Sequence, residues 1–295
     1  MPRPPRTVLI PAAGLGTRLL PLTRTTPKEL LPVYDLPVIQ FAIDEAVALG
    51  AERIVVVIHP SKSAIRDYIA EGNPSGRATP GEVKSNLVTF QPPGRRPDHV
   101  EFIYAIQQDA LGLGHAVACC AQMLLPGPIG VILPDDVILG APCLSEMADY
   151  YPGGHMVAAM EVAPSQTAKY GIFIPSAATR RRCLPVAGMV EKPAAGLAPS
   201  TLAAVGRYIL DPRIMATLAA TRPGSGNEIQ LTDAIVRDAP LVGLTAFRFS
   251  GSRHDCGSLD GLLEAGVARR SMVGGRSQTP RGLTDETRPS RIAAN

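Results

Sequence analysis

The sequence is poor in residues that mark several large classes of protein. It contains no tryptophan, only six phenylalanines and seven tyrosines, and its net charge is only +3. Proteins that bind single-stranded nucleic acid need basic surfaces and aromatic platforms for the bases, so we expect no nucleic-acid partner. No apolar run approaches the ~20 residues that span a bilayer, and no apolar signal segment follows the N-terminal residues 1–6. We therefore expect a cytoplasmic protein with no membrane partner.

Cysteine is also scarce. The five cysteines include no C-x-x-C pair, and no histidine stands at metal-ligand spacing from them, so the pattern favours neither a disulfide framework nor a zinc site. Cys119 and Cys120 are adjacent, and in a helix their side chains would point about 100° apart. We expect small buried thiols in a reducing compartment.

The first 150 residues alternate short β-branched runs with helix-like segments, which is typical of an α/β sheet with crossover helices. Strand Thr7–Ile10, helix Val38–Leu49 and strand Arg53–Ile58 form a first βαβ unit. Further predicted elements are strands Val100–Tyr104 and Ile129–Leu133, with a helix from about Gly114 to Met123 between them.

From His155 onward the predicted strands follow one another at shorter intervals. We interpret residues 1–270 as one domain with halves at about 7–150 and 151–270. Its expected fold is α/β, a Rossmann-like mixed and mostly parallel sheet flanked by helices. The second-half elements are strands His155–Val162, Gly171–Ile174, Val186–Glu191, Leu202–Ile209 and Leu244–Phe249, and helices near Pro212–Ala220, Ile229–Arg237 and Leu259–Arg269.

Two segments lack any sustained periodicity. Residues 71–98 are rich in glycine, proline and charge, and are predicted to be a mobile loop. Residues 271–295 contain few large apolar side chains, and are predicted to be a disordered tail.

A loop of small residues, Pro11–Arg18, follows the first strand. Its composition lets backbone N–H groups approach an anion. The loop lacks the third glycine and later acidic residue of a dinucleotide site, and it lacks the Gly-Lys-Ser/Thr of a Walker loop. Arg18 and Lys28 could neutralise a triphosphate as pyrophosphate leaves. On spacing alone, a turn with two solvated cations is an equal alternative.

Several motifs in order resemble the bacterial UTP–glucose-1-phosphate uridylyltransferases, a sugar-phosphate nucleotidyltransferase family. They begin with Ala12–Arg18, Pro27–Pro32 and Pro37–Gln40, and the resemblance extends from about residue 7 to 269. It is weakest across residues 71–98. The resemblance implies a nucleotide-diphospho-sugar transferase fold, UTP and glucose 1-phosphate as substrates, and a homo-oligomer. The first half would then bind the nucleotide and the second half the sugar.

The resemblance assigns nucleotide contacts to the loop and to a second glycine-containing segment. A Gln side chain can both donate to and accept from the uracil edge. Ile106 stands where an arginine is common in the family. The implied catalytic cations are Arg18 and Lys28, together with Lys192 from the second half. The implied nucleotide-binding residues are Ala12, Ala13, Gly14, Gly16, Thr17, Gln107 and Gly112.

Asp135 and Asp136 follow an apolar run, at the strand end where open α/β sheets bind ligands. Mg²⁺ is commonly held by one or two carboxylates plus substrate phosphates, although a simple strand-end turn is the alternative. The resemblance implies Asp135 as a Mg²⁺ ligand, with Asp136 a weaker candidate, and Asp255 as the second ligand. Near Asp255 the chain departs from the family, since Ser252 and Leu259 stand where lysines are usual.

The implied sugar site comes from the second half. The carboxylate of Glu191 would accept hydrogen bonds from hexose hydroxyls, Lys192 would pair with the sugar phosphate, and Gly171 would offer its backbone. Val205 would lie at the floor of the pocket. The segment Asn227–Asp233 also matches the family, but reads equally well as a capped helix.

Three functions remain open from the sequence. The first is uridylyl transfer, in which the sugar phosphate attacks the α-phosphorus of UTP without a protein nucleophile. A glucose-1-phosphate thymidylyltransferase would share these motifs. A non-catalytic regulatory relative is a third class, suggested by the changes at Ile106, Ser252 and Leu259. A nicotinamide-dependent oxidoreductase is disfavoured by the missing glycine and acidic residue.

Overall fold

The computed structural model describes residues 3–71, 86–88, 100–176, 181–224 and 227–274 of the 295-residue chain. Within these ranges a ten-stranded sheet is covered by helices on both faces, and two short two-stranded sheets lie beside it.

The strands are β1 (Thr7–Pro11), β2 (Pro32–Val33), β3 (Leu36–Pro37), β4 (Arg53–Ile58), β5 (Asn86–Val88), β6 (Val100–Ile106), β7 (Ile129–Ile132), β8 (Asp136–Leu139), β9 (His155–Glu161), β10 (Gly171–Pro175), β11 (Cys183–Glu191), β12 (Leu202–Leu210), β13 (Leu244–Arg248) and β14 (Ser252–Asp255). The helices are α1 (Val38–Leu49), α2 (Ser63–Glu71), α3 (Gly112–Ala118), α4 (Cys143–Asp149), α5 (Ile214–Ala220), α6 (Leu231–Val242) and α7 (Leu259–Gly274).

The main sheet has the strand order β10-β11-β13-β9-β12-β7-β1-β4-β6-β5. Strands β7, β1, β4 and β6 run parallel to one another, as do β9 and β13. The remaining pairings in the described chain are antiparallel. The sheet is mixed, as predicted, but the predicted excess of parallel pairs is restricted to the first half. Short connections such as that from β10 to β11 cannot accommodate the crossover that a parallel pair needs.

Strand β1 shows how the sequence builds the two layers. Side chains alternate along a strand, so Val8 and Ile10 pack on one face with Ile39 of α1. Leu9 points to the other face and packs with Val117 of α3. All five side chains are fully buried. Both faces of the parallel strands are thus covered, which explains their continuous apolar sequences.

The bounds of α1 and β4 are those predicted, and the other predicted strands differ by only a few residues. The helix expected at about 114–123 instead begins at Gly112 and ends at Ala118, followed by a separate 3-10 turn. Helices α2 and α4 were not predicted. In α2, Ile65 and Ile69 are one helical turn apart and fully buried, so the periodic signal was present but short. The cysteines are free thiols, and Cys120 is buried as expected while Cys119 is half-buried.

Both segments predicted to be irregular are only partly described. Helix α7 continues to Gly274, so the first four residues of the expected tail are helical. Residues 275–295 lie outside the described residues. The expected loop 71–98 contains the last residue of α2 and strand β5, and its other residues lie outside the described chain. The helices that the structure describes include none with the length and hydropathy needed to cross a membrane.

The order of the strands fixes where a ligand can bind. From β1 the chain continues to β4 on one side, whereas β7 pairs with β1 on the other side. In open α/β sheets such a switch in direction leaves a crevice at the carboxyl ends of the strands. The loop after β1 and the carboxylates after β7 both lie at this edge.

Candidate active site

A cleft of about 890 Å³ opens at the carboxyl ends of β1, β4, β6 and β7, and extends along β11, β12 and β14. It is lined by residues of both halves of the sequence, so one cleft contains the predicted nucleotide side and the predicted sugar side. The predicted site residues that line it are Ala13, Gly14, Arg18, Lys28, Gln107, Gly112, Asp135, Gly171, Glu191, Lys192 and Asp255.

Four predicted site residues, Ala12, Gly16, Thr17 and Val205, do not line the cleft. Ala12 is fully buried and its N–H donates to the carbonyl of Val57 at 2.7 Å. Gly16 and Thr17 begin a 3-10 turn behind the loop. The side chain of Val205 packs into the core, because the strand alternation turns its neighbours toward the cleft. Only its backbone can face a sugar.

The loop after β1 is packed directly against Lys28. A Cβ atom placed on Gly14 would lie 3.9 Å from Nζ of Lys28. At Gly16 a Cβ atom would lie 3.3 Å from Cβ of Lys28 and 3.1 Å from Thr23, and the backbone φ of Gly16 is 69°. Only glycine adopts this left-handed conformation without strain. The small residues of the loop therefore let the lysine reach the cleft.

Lys28 forms an ion pair with Asp135, with 2.6 Å between Nζ and Oδ2. Burial would lower the pKa of Lys28, but the Asp135 carboxylate and then Glu29 outweigh it, so the net pKa is raised. Burial would raise the pKa of Asp135, but Lys28 outweighs that effect and holds the pKa below its usual range. The lysine is thus a cation and the aspartate an anion at neutral pH.

The second predicted carboxylate lies beside the first. A Cβ atom placed on Gly257 would lie 3.0 Å from Oδ1 of Asp255 and 3.2 Å from Oδ2 of Asp135, so both carboxylates border this glycine. The N–H of Gly257 donates to Asp255, and Arg18 Nη1 lies 3.7 Å from Asp255 Oδ2. Two carboxylates and two cations, Arg18 and Lys28, therefore meet at one end of the cleft.

Asp136 has different partners from Asp135. Its Oδ1 accepts two hydrogen bonds from Arg253, one of them 2.7 Å from Nε, and its Oδ2 accepts from the N–H of Gly206 at 2.8 Å. Arg253 also donates to the hydroxyl of Tyr170 and stacks over its ring. Both oxygens of Asp136 are occupied, so the structure favours Asp135 over Asp136 as the metal ligand.

Gln107 is buried at the end of β6. Its Nε2 donates to the carbonyl of Gly112 at 3.1 Å and lies 3.1 Å from Nδ1 of His115. A Cβ on Gly112 would lie 2.9 Å from Glu228, and the N–H of Gly114 donates to the carbonyl of Ile229 at 2.8 Å. The two glycines are thus needed because the segment before α6 packs on this turn.

On the opposite side of the cleft, Glu191 is the last residue of strand β11 and Lys192 follows it. Lys192 Nζ lies 3.6 Å from Glu191 Oε1, and Thr232 donates to Glu191 Oε2 at 2.7 Å. A Cβ on Gly171 would lie 3.2 Å from Oε2 of Glu191. Lys192 has a φ of 42°, which is uncommon for a residue other than glycine. Its side chain is 59% exposed and free to reach a ligand.

The three departures from the family stand at exposed positions, and Ile106 and Ser252 are direct chain neighbours of the cleft residues Gln107 and Arg253. Ile106, Ser252 and Leu259 do not line the cleft, and all three are exposed. The side chains that do line the cleft include Arg18, Lys28 and Lys192, so it retains several basic groups.

Sequence reasoning missed two polar residues that line the cleft, Arg253 and Thr232, and one that lies behind its loop, Lys62. Lys62 lies in the connection from β4 to α2, a helix that the sequence did not predict, and Arg253 was overlooked although it precedes His254 in a matched motif. Thr232 belongs to the segment for which a capped helix was an equal interpretation. Its contact with Glu191 joins residues that are 41 positions apart, and a local sequence pattern cannot predict such a contact.

The fold and the cleft define an α/β protein with a glycine-containing loop, paired carboxylates and a second polar subsite at the edge of the sheet where such folds bind ligands. The sequence matches the Nucleotidyl transferase family model over residues 7–271, and the chain belongs to this family.

Two relatives and one solved structure each match most of the length of this chain. The UTP–glucose-1-phosphate uridylyltransferase of Staphylococcus epidermidis is 37% identical over 262 residues, covering 88% of this chain and 90% of that protein. That of Bacillus subtilis is 38% identical over 261 residues, covering 88% of each. A crystal structure of UDP-glucose pyrophosphorylase complexed with UDP-glucose has a TM-score of 0.77 at 34% identity, covering 92% of this chain and 100% of that one. The predicted family and fold class are confirmed.

Proposed function

We propose that this protein transfers the uridylyl group of UTP to glucose 1-phosphate, forming UDP-glucose and pyrophosphate. The observation that carries the proposal is the shared cleft, which has Lys28 and Asp135 at one end and Glu191 and Lys192 at the other. Two relatives at 37% and 38% identity carry the name of this activity, and a solved structure of the same fold contains UDP-glucose.

At the nucleotide end, backbone N–H groups of the loop, including that of Ala13, receive the triphosphate, and Arg18 and Lys28 neutralise it. The amide nitrogen of Gln107 already donates to the carbonyl of Gly112. This bond fixes the amide so that its oxygen remains as an acceptor for a base edge.

At the sugar end, Glu191 accepts hydrogen bonds from hexose hydroxyls and Lys192 pairs with the phosphate of glucose 1-phosphate. Thr232 holds Glu191 Oε2 at 2.7 Å, which orients the carboxylate before a sugar arrives. Lys192 has the length and exposure to bring the sugar phosphate toward the nucleotide.

The paired carboxylates fit Mg²⁺. Members of this family typically use a divalent metal ion. Asp135 and Asp255 converge, and among the described residues no group of three or more His, Cys, Asp or Glu side chains is placed to hold an ion. Two carboxylates completed by phosphate oxygens and water are a typical Mg²⁺ environment. When bound, the ion would neutralise phosphate charge and act as a Lewis acid.

The chain supplies charge and orientation rather than a nucleophile. An oxygen of the sugar phosphate forms a bond to the α-phosphorus of UTP, and the bond from that phosphorus to the bridging oxygen of pyrophosphate breaks in line with it. The leaving pyrophosphate takes the electron pair. Lys192 lowers the repulsion between the two anions, and Arg18 and Lys28 stabilise the charge that develops on the leaving group.

A substrate matrix tests the proposal. UTP, dTTP, ATP and GTP are each incubated with the 1-phosphates of glucose, galactose and N-acetylglucosamine, with Mg²⁺, and pyrophosphate release is measured. We expect the largest kcat/KM for UTP with glucose 1-phosphate. A larger value with dTTP would identify a thymidylyltransferase, and no release with any pair would indicate a non-catalytic relative.

A further inference from the structure

Lys62 is a buried cation that the reaction above does not use. Its side chain is 7% exposed and its Nζ lies behind the loop that follows β1. The ammonium group donates to the carbonyls of Ala12 and Gly14, at 2.8 and 2.5 Å, and to Glu29 Oε2 at 2.8 Å. An ammonium group has three hydrogens, so these three acceptors satisfy it completely.

The lysine is held on a rigid support. It follows β4, where its N–H donates to the carbonyl of His59 at 2.9 Å, and its own carbonyl accepts from Ile65 at 3.1 Å. Ile65 and Ile69 anchor the following helix in the core. The position of Nζ is therefore set by strand β4 and helix α2, not by the loop that it contacts.

The two carbonyl contacts determine which way the loop faces. In a planar trans peptide, the C=O of one residue and the N–H of the next point in opposite directions. With the carbonyls of Ala12 and Gly14 turned to Lys62, the N–H groups of Ala13 and Leu15 point away from it. Neither N–H has a hydrogen-bond partner in the part of the chain that the structure describes, and both residues line the cleft.

Glu29 links the same lysine to the second nucleotide element. Glu29 is fully buried against Lys62, whereas its neighbour Lys28 points the other way and contacts Asp135. One ammonium group thus holds the loop and the segment that carries Lys28 in a fixed relation.

We propose that Lys62 is a positioning residue for the nucleotide, which orients the backbone N–H groups of the loop toward the triphosphate and fixes the segment of Lys28 beside them through Glu29. This rests on the proposed function, because the triphosphate is the ligand that the oriented groups would bind. The competing interpretation is that Lys62 and Glu29 form an ion pair that only stabilises the fold.

A charge-neutral double variant separates these interpretations. Lys62→Met alone leaves Glu29 buried without a partner and is expected to be strongly destabilised. Lys62→Met with Glu29→Gln removes the unpaired charge but also the contacts to Ala12 and Gly14. The matched control is Arg53→Gln with Glu101→Gln, an ion pair of 2.7 Å at the opposite end of β4.

Melting temperature, UTP binding by calorimetry and hydrogen exchange of a peptide covering residues 8–20 are measured for each protein. We expect the double variant to recover most of the melting temperature lost in Lys62→Met, yet to bind UTP about tenfold more weakly than wild type. Its loop should exchange faster and KM for glucose 1-phosphate should change less than KM for UTP. The control pair should bind UTP like the wild type.

Recovery of UTP affinity together with melting temperature, or unchanged exchange of the loop, would overturn the positioning role and leave the proposed function intact. A wild-type protein that binds no UTP would overturn the proposed function itself, and the positioning role with it.

Discussion

Lys28 and Asp135 form an ion pair whose Nζ–Oδ2 distance is 2.6 Å, so the proposed phosphate-binding cation and the proposed metal ligand satisfy each other. The same two groups must change partners when a triphosphate and a divalent ion bind, because one carboxylate oxygen cannot hold both the lysine and the metal closely. The ion pair therefore keeps two half-buried charges compensated until the substrates replace it.

This relationship leads to a prediction for Asp135→Asn. An amide removes the negative charge but keeps the shape, so the protein should fold while both metal binding and the compensation of Lys28 are lost. We expect kcat to fall by roughly 10²–10³, the range seen when one preorganised charge-stabilising group is removed. Pyrophosphate release measured over a Mg²⁺ titration checks this, with Asp149→Asn, on the exposed end of α4, as the control. Wild-type turnover in Asp135→Asn would rule out this carboxylate as a metal ligand.

Lys192→Ala should abolish most turnover and leave the melting temperature near that of the wild type. The side chain is 59% exposed and its ion pair with Glu191 is long, at 3.6 Å, so little stability depends on it. The positive φ of residue 192 affects lysine and alanine alike, since both carry a Cβ. Steady-state kinetics with varied glucose 1-phosphate and thermal unfolding are the two measurements. An active Lys192→Ala protein would remove this residue from the mechanism.

Arg253 and Asp136 should show strong energetic coupling. Each is mostly buried, and the guanidinium contacts both the carboxylate and the hydroxyl of Tyr170. Burial would lower the pKa of Arg253, but Asp136 outweighs it and raises the pKa further, so the arginine stays charged. Removing one partner of a buried pair costs about 3–5 kcal/mol because the other charge is left without compensation.

A double-mutant cycle with Arg253→Met and Asp136→Asn measures this coupling by urea unfolding. We expect Arg253→Met to be the most destabilised variant and the double variant to regain part of the loss, with a coupling free energy of about 2 kcal/mol. Additive effects within about 0.5 kcal/mol would show that the two side chains act independently.

The sequence alone predicted those helices and strands whose signals lie within a short stretch of chain. Helix α1 was predicted with its observed bounds because Pro37 and Gly50 flank a periodic apolar face, and β4 because it is an uninterrupted β-branched run. Lys28 and Lys192 were predicted because each belongs to a recognisable motif.

Relationships between distant parts of the chain were not predictable in this way. Lys62 has no motif of its own, and its function depends on two carbonyls about 50 positions earlier. Val205 belongs to a matched motif, but strand alternation decides that its neighbours line the cleft instead. A motif therefore identifies the segment of a site, whereas the pairing register decides which of its side chains face the ligand.

Gly206 follows Val205 in β12, and the site requires that residue 206 has no side chain. A Cβ at this position would lie 2.6 Å from Cβ of Leu133 and 2.7 Å from Oδ2 of Asp136, and the N–H of Gly206 donates to that same oxygen. We expect Gly206→Ala to cost about 1–3 kcal/mol by overpacking. The displaced Asp136 should also disturb Arg253, so kcat/KM should fall by more than the loss of folded protein explains. Gly188→Ala in β11 is the control, because the nearest atom to its Cβ is 3.8 Å away and alanine suits a strand better than glycine. Urea unfolding and steady-state kinetics are measured on both variants. If the two variants have equal free energies of unfolding and equal kcat/KM, then the neighbours of Gly206 can move to accommodate a methyl group without changing the cleft.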